Sequence, residues 1–212
     1  MVETTRARAA EIIKRLEVAY PEARIALQFS SPLELLVATI LSAQSTDVGV
    51  NRVTPALFKR YPKVEDYAAA DVAELEHLIY ATGFYHNKAK SILGAARVML
   101  ERFDGKVPRT MEEIIQLPGV ARKTGNIVLY NAYGVIEGIA VDTHVRRLSN
   151  LLGLSGESDP EKIEKDLLKL IPRLRWGSFP YLLIEHGRAV CIARRPRHAD
   201  CVLNDICPSA NL

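Results

Sequence analysis

The sequence predicts an all-α fold, and three observations carry that prediction. No stretch of the 212 residues shows a convincing period-2 alternation of apolar and polar residues, the mark of a half-buried strand. Helix-start and helix-stop residues recur along the whole chain. Hydrophobic residues make up 48%, enough for a packed core, and no low-complexity segment, long linker or internal repeat breaks the pattern.

The elements follow in order. Ala9, Ile12, Ile13, Leu16 and Ala19 fall at helical spacing, and Pro21 closes that segment. Ser31-Pro32-Leu33-Glu34 offers an N-cap, a proline in the first turn and a capping-box glutamate. Asp71 with Glu74 and Thr110 with Glu113 repeat that spacing. Gly83, Gly105, Gly134 and Gly153 stand where helices should stop. A short helix at about 111–116 and a longer one at about 121–133 flank a Pro-Gly turn. Asp142 reads as the N-cap of the next helix. Asp159-Pro160 opens another, and a last one runs from about Phe179 to Val190. Some ten helices with short loops are expected.

Composition narrows the function classes. With 28 Lys+Arg against 25 Asp+Glu the net charge is +3, which permits nucleic-acid binding without requiring it. The basic surplus is concentrated in residues 188–198, where Arg188, Arg194, Arg195 and Arg197 occur with no acid. The longest largely apolar run, Leu35 to Ala43, is about half of a membrane span. Glu3, Arg6, Arg8 and Glu11 do not read as a secretory leader. A soluble intracellular protein is therefore expected. Its three cysteines, Cys191, Cys201 and Cys207, are odd in number and clustered, which points to a local metal site rather than a disulfide framework.

Three motifs carry chemistry. In Leu117-Pro118-Gly119-Val120-Ala121-Arg122-Lys123-Thr124, Pro-Gly makes a tight turn and a helix opens at once. Its free backbone N–H groups form an anion site suited to phosphate, with Arg122 and Lys123 adding charge; the alternative is a plain helix–helix turn with solvated basic residues. In Val141-Asp142-Thr143-His144, the carboxylate either only caps a helix or also joins a lysine in one pocket. A deprotonated lysine is a nucleophile, and the carboxylate would orient it or stabilise a developing cation. The third motif, Cys191-x6-His198-x2-Cys201-x5-Cys207, gathers four soft or borderline ligands within 17 residues. Such a set suits zinc as Cys3His, or an iron–sulfur cluster. Metal would close the arginine-rich segment into a loop able to grip phosphates.

With these motifs in their order, the chain resembles the endonuclease III family of DNA repair glycosylases, in the helix-hairpin-helix superfamily. The match spans about residues 5–208. It includes Ser30-Ser31-Pro32-Leu33-Glu34-Leu35-Leu36, Leu41-Ser42-Ala43-Gln44-Ser45-Thr46-Asp47, the hairpin, Val141-Asp142-Thr143-His144 and His186-Gly187-Arg188 before Cys191. The resemblance implies two helical domains flanking a DNA-binding cleft. Residues 25–135 would form a six-helix domain with the hairpin. Residues 1–24 and 136–212 would form the other, with the cluster loop at 191–207. It implies excision of oxidised pyrimidines from duplex DNA followed by β-elimination at the abasic sugar. Lys123 matches the Schiff-base nucleophile and Asp142 the essential aspartate. Leu117, Gly119, Val120, Ala121 and Arg122 match the phosphate-holding hairpin. Gln44 matches the residue that fills the gap left by the flipped nucleotide, and Phe84 the apolar wedge. His144 is expected to line the base pocket, with capping or packing as its alternative; a core position is the alternative for Phe84. Arg194, Arg195 and Arg197 are expected at the DNA backbone. The implied partner is duplex DNA with damaged pyrimidines or abasic sites. A monomer is expected, away from membranes, in the cytoplasm or on a prokaryotic nucleoid.

Two positions depart from the family pattern. His198 stands where the cluster motif has its second cysteine. A [4Fe–4S] cluster with His198 as fourth ligand is the favoured expectation, since the spacing otherwise follows the family; zinc, or a labile or vacant site, are the alternatives. Ala121 stands where the hairpin usually has glycine. If that position needed positive φ, alanine would cost about 1 kcal/mol; a simple helix start is expected instead. Two rival functions stand beside the leading one. Mismatch glycosylases of the superfamily generally lack the lysine matching Lys123, and a non-catalytic DNA-binding hairpin module would not need Lys123 and Asp142 together.

Overall fold

The computed structural model describes residues 2–210. All regular elements among them are helical, as the sequence predicts, and there are eleven α-helices. No described helix is long and apolar enough to cross a membrane. The chain separates into two compact units, residues 26–135 and residues 1–25 with 136–212.

In the unit of residues 26–135 the elements are α2 (Pro32–Leu41), α3 (Asp47–Arg60), α4 (Val64–Ala68), α5 (Val72–Ile79), a 3-10 turn (Tyr80–Thr82), α6 (Tyr85–Arg102), α7 (Met111–Ile114) and α8 (Arg122–Tyr133). Helix α2 is its centre. All seven residues from Leu35 to Leu41 are buried, and α3, α6 and α8 pack around it. A helix apolar on every side needs neighbours on every side. Its start is capped by Ser31 Oγ, which accepts the Glu34 N–H at 3.2 Å. The box is displaced by one residue, because the Glu34 carboxylate accepts from the Ser30 N–H and hydroxyl instead of reaching Ser31. Asp71 caps α5 in the same way, but Glu74 turns outward to form a two-pronged pair with Arg60. Helix α7 stops at Ile114, earlier than the sequence predicts, and residues 115–120 form turns.

The other unit holds α1 (Val2–Ala19), α9 (Thr143–Leu151), α10 (Pro160–Leu170), α11 (Phe179–Ala189) and the 191–207 segment. Ala9, Ile12, Ile13 and Leu16 bury one face of α1 against Val145, Leu148, Ile163, Leu167, Phe179 and Leu183. Ala19, expected on that face, is exposed where the helix ends. Asp159 caps α10 with two accepted N–H bonds at 3.0 Å. Leu203 is fully buried in the same core and roots the cysteine segment there. Arg15 of α1 also holds that segment, with both carboxylate oxygens of Asp205 and the Val202 carbonyl.

Candidate active site and metal centre

The hairpin is built by close approach. Gly119 has φ +79°, and a Cβ there would sit 2.6 Å from Ser91 Cβ of α6. Both the backbone conformation and the space therefore demand glycine. Pro118 packs on Gly94 of the same helix, where a Cβ would meet its ring at 3.1 Å. The Val120 N–H closes the turn on the Leu117 carbonyl at 3.0 Å. The side chains of Leu117 and Val120 are buried, so these two residues can offer only backbone to a ligand.

Ala121 is the N-cap of α8 with φ −94° and ψ 172°, an extended conformation that alanine adopts without strain. The departure from glycine thus carries no backbone cost. It has another consequence. Helices α2, α3, α5 and α7 begin with a serine, threonine or aspartate whose side chain takes up a first-turn N–H. Ala121 has no group to do so, and no side-chain cap bond is made at the start of α8, the kind of helix start that suits an anion. Arg122 and Lys123, both exposed, stand in that turn.

Gln44 and Phe84 share an uncommon backbone. They are two of only three non-glycine residues with positive φ among those described, at +53° and +48°, and both are exposed. Phe84 is 61% exposed, which rules out the core alternative considered for it. A large apolar ring on a left-handed residue costs about 1–2 kcal/mol in backbone alone. Such strain concentrates where a side chain has a task.

In the other unit, Asp142 Oδ1 accepts the Val145 N–H at 2.8 Å and caps α9. One carboxylate oxygen is thereby fixed, and the other lone pairs stay available for chemistry. His144 packs against Gly187 of α11, where a Cβ would lie 2.8 Å from its Nδ1. The packing alternative for His144 therefore has a structural basis. One turn further along α9, Arg147 donates to the Cys191 carbonyl at 2.6 Å and to Cys191 Sγ at 3.5 Å. Helix α9 thus carries the aspartate at one end and a tie to the cysteine segment along its length.

Cys191, His198, Cys201 and Cys207 line a single cavity of about 270 Å³, together with Arg147, Leu148 and His186. Yet no three His, Cys, Asp or Glu side chains among the described residues converge closely enough to hold one ion. A zinc ion needs four donors at about 2.0–2.3 Å. Donors spread around a roomy cavity match a group several atoms across, and in that sense the residues fit a cluster. His186 is 2% exposed, with Nδ1 3.0 Å from the Tyr20 hydroxyl and Nε2 3.6 Å from Cys201 Sγ. Burial, then the nearby Arg147 charge, push its imidazole down to about 4, so it is neutral at physiological pH. Burial also raises the Cys201 thiol. Arg194, Arg195 and Arg197 are exposed on the loop between Cys191 and His198.

Sequence reasoning missed Arg147 and the contacts of His186. Both reach the cysteines from other helices, and no local spacing announces them.

The chain matches the HhH-GPD superfamily base excision DNA repair protein family over residues 37–173. Residues 191–207 match the iron-sulfur binding domain of endonuclease III. It is 55% identical to endonuclease III of Synechocystis sp. over 203 residues, covering 96% of this chain and 93% of that protein. Endonuclease III of Escherichia coli is 40% identical over 205 residues, with 95% of each covered. A solved trapped endonuclease III–DNA covalent intermediate superposes with a TM-score of 0.92 at 37% identity, over 97% of this chain and 96% of that one. A thermostable thymine-DNA glycosylase shares the fold, with a TM-score of 0.87 at 21% identity over 97% and 98% of the two chains. With matches of this extent and identity, the chain belongs to the endonuclease III family of base excision DNA repair enzymes.

Proposed function

We propose that the chain excises oxidised pyrimidines from duplex DNA and cleaves the resulting abasic site by β-elimination. The observation that carries this reading is Lys123, exposed in the first turn of α8 directly after the Gly119 turn, at a helix start with no side-chain cap. A stacked base is out of reach of any side chain, so the nucleotide must leave the helix. Phe84 enters the step and Gln44 fills the gap, while the hairpin and the first turn of α8 hold the backbone. His144 borders the pocket that takes the base.

Lys123, as the neutral amine, attacks C1′ while the C1′–N bond breaks, and the base leaves with that electron pair and takes up a proton. Asp142 stabilises the cationic character at the sugar. Loss of a proton from the lysine nitrogen and departure of the ring oxygen give a Schiff base. Removal of a C2′ proton then expels the 3′ phosphate, and water releases the lysine. Single-turnover assays should show strand cleavage on duplexes with an oxidised pyrimidine or an abasic site. Cleavage confined to thymine or adenine mismatches would overturn the reading in favour of a mismatch glycosylase, and binding without cleavage would leave only a DNA-binding module.

Cys191, Cys201, Cys207 and His198 would hold a [4Fe–4S] cluster, which supplies a rigid cross-link and one-electron redox capacity when bound. The match of residues 191–207 to an iron-sulfur binding domain, and a cavity wide enough for a group of several atoms, support a cluster over zinc. Purified protein should carry iron and acid-labile sulfide in near-equal amounts with visible charge-transfer absorption. Because histidine in place of cysteine raises cluster potentials, His198→Cys should lower the reduction potential by on the order of 100 mV. Colourless protein with stoichiometric zinc would refute the assignment.

The exposed arginines of the loop are read as phosphate ligands. Replacing Arg194, Arg195 and Arg197 by alanine should flatten the plot of log affinity against log salt by about 0.9 for each phosphate no longer neutralised. An unchanged slope would mean that the loop does not touch DNA.

A further inference from the structure

Lys88 is an oddity of the core. It lies in α6 one turn after Phe84 and is only 4% exposed. Its ammonium donates to the Thr82 carbonyl at 2.7 Å, and that acceptor is a backbone oxygen rather than a carboxylate. Burial depresses its affinity for a proton. An apolar residue of the same length would avoid the desolvation, so stability alone does not explain a lysine here.

Its surroundings do. Thr82 ends the 3-10 turn that prolongs α5, and its own hydroxyl is buried and donates to the Ile79 carbonyl at 2.8 Å. The carbonyl end of a helix is the place where a cation is favoured. The next two residues both have positive φ: Gly83 at +67° and Phe84 at +48°. Glycine accepts this freely and phenylalanine does not. Phe84 has no side-chain group to cap α6; its carbonyl accepts the Lys88 N–H at 3.2 Å. Lys88 therefore grips the reversal on both sides, through its ammonium before Gly83 and through its backbone after it.

We infer that Lys88 is the positioning residue of the wedge: by clamping the Thr82–Phe84 reversal it presents the Phe84 ring, already set, to the base step that must open. Preorganisation of this kind saves the ordering cost at the moment of binding. The inference rests on the reading of Phe84 as the wedge.

The test compares single-turnover excision of one oxidised pyrimidine in a fully paired duplex and in a bubble, where mismatched neighbours leave the base unstacked. Lys88→Met should slow the paired substrate roughly tenfold, about 1.4 kcal/mol, and the bubble by no more than about twofold. Lys88→Gln, which keeps a donor for the Thr82 carbonyl, should fall between Lys88→Met and the unmodified enzyme. Phe84→Ala should show the same preference for the bubble, and adding Lys88→Met to it should cost nothing further, since coupled residues are not additive. Equal losses of Lys88→Met on both substrates, with or without loss of helical structure, would make Lys88 a structural residue and overturn the inference. So would full additivity with Phe84→Ala. If Phe84→Ala itself spares the paired substrate, the wedge reading fails and this inference falls with it; if only Lys88→Met fails to discriminate, the wedge reading stands alone.

Discussion

Lys123→Ala is expected to abolish strand cleavage at abasic sites, with a loss on the order of 10⁴-fold or more, as for removal of other covalent nucleophiles. The same variant should fold and melt like the unmodified protein. Lys123 is exposed in the first turn of α8 and contributes nothing to the buried face formed by Gly125, Asn126, Val128 and Leu129. Alanine is also at least as good a helix former as lysine. Lys123→Arg separates charge from chemistry. It keeps a cation beside the phosphate site but offers no nucleophilic amine, because a guanidinium does not give up its proton. DNA affinity should survive in Lys123→Arg while cleavage does not. Circular dichroism melting, filter binding and single-turnover cleavage check the three parts separately.

Asp142→Asn should lower the excision rate by about 10²–10⁴-fold while leaving the melting temperature almost unchanged. Asparagine caps a helix as well as aspartate, so the bond to the Val145 N–H at 2.8 Å can be kept with the charge removed. Asp142→Ala should lose the activity and the cap together. Loss of the cap costs about 1 kcal/mol, which for a chain of this size lowers the melting temperature by roughly 2–4 °C. If Asp142→Asn retains full activity, the aspartate is a helix cap and nothing more, which is its plainest reading in the sequence. Two variants at one atom pair thus distinguish a structural role from a chemical one.

Local chemistry was readable in the residues themselves. Ser31, Asp71, Thr110, Asp142 and Asp159 all cap the helices their spacing predicts, because a cap needs only a short polar side chain and the next turn of backbone. The reciprocal half of the capping boxes was less readable. Glu34 finds Ser30, and Glu74 finds Arg60, which is 14 residues away and offers a bidentate fork. Helix α3 runs from Asp47 to Arg60 straight through Pro55, a residue that sequence punctuation treats as a stop.

At the candidate site the same division holds. Cys191, His198, Cys201 and Cys207 line one cavity because they share a short segment. Arg147 is 44 residues from Cys191 and reaches it only because α9 packs on α11. The left-handed backbone of Phe84 and the buried ammonium behind it have no sequence signature beyond the glycine before them. A lysine at 88 in an amphipathic helix reads as solvated until the carbonyl of Thr82 is found above it. The fold places α9 as a common support within its unit, with the Asp142 carboxylate at its start and Arg147, Leu148 and Leu151 at the cavity wall.

Whether Lys123 becomes covalently joined to the sugar can be read by borohydride reduction. Reduction turns a Schiff base into a stable amine, and proteolysis with mass spectrometry then locates the attached deoxyribose. Incubation with an abasic duplex and borohydride should give an adduct on the peptide that contains Lys123, and Lys123→Ala should give none. An adduct mapped to another amine, or one that persists in Lys123→Ala, would mean that Lys123 is not the nucleophile.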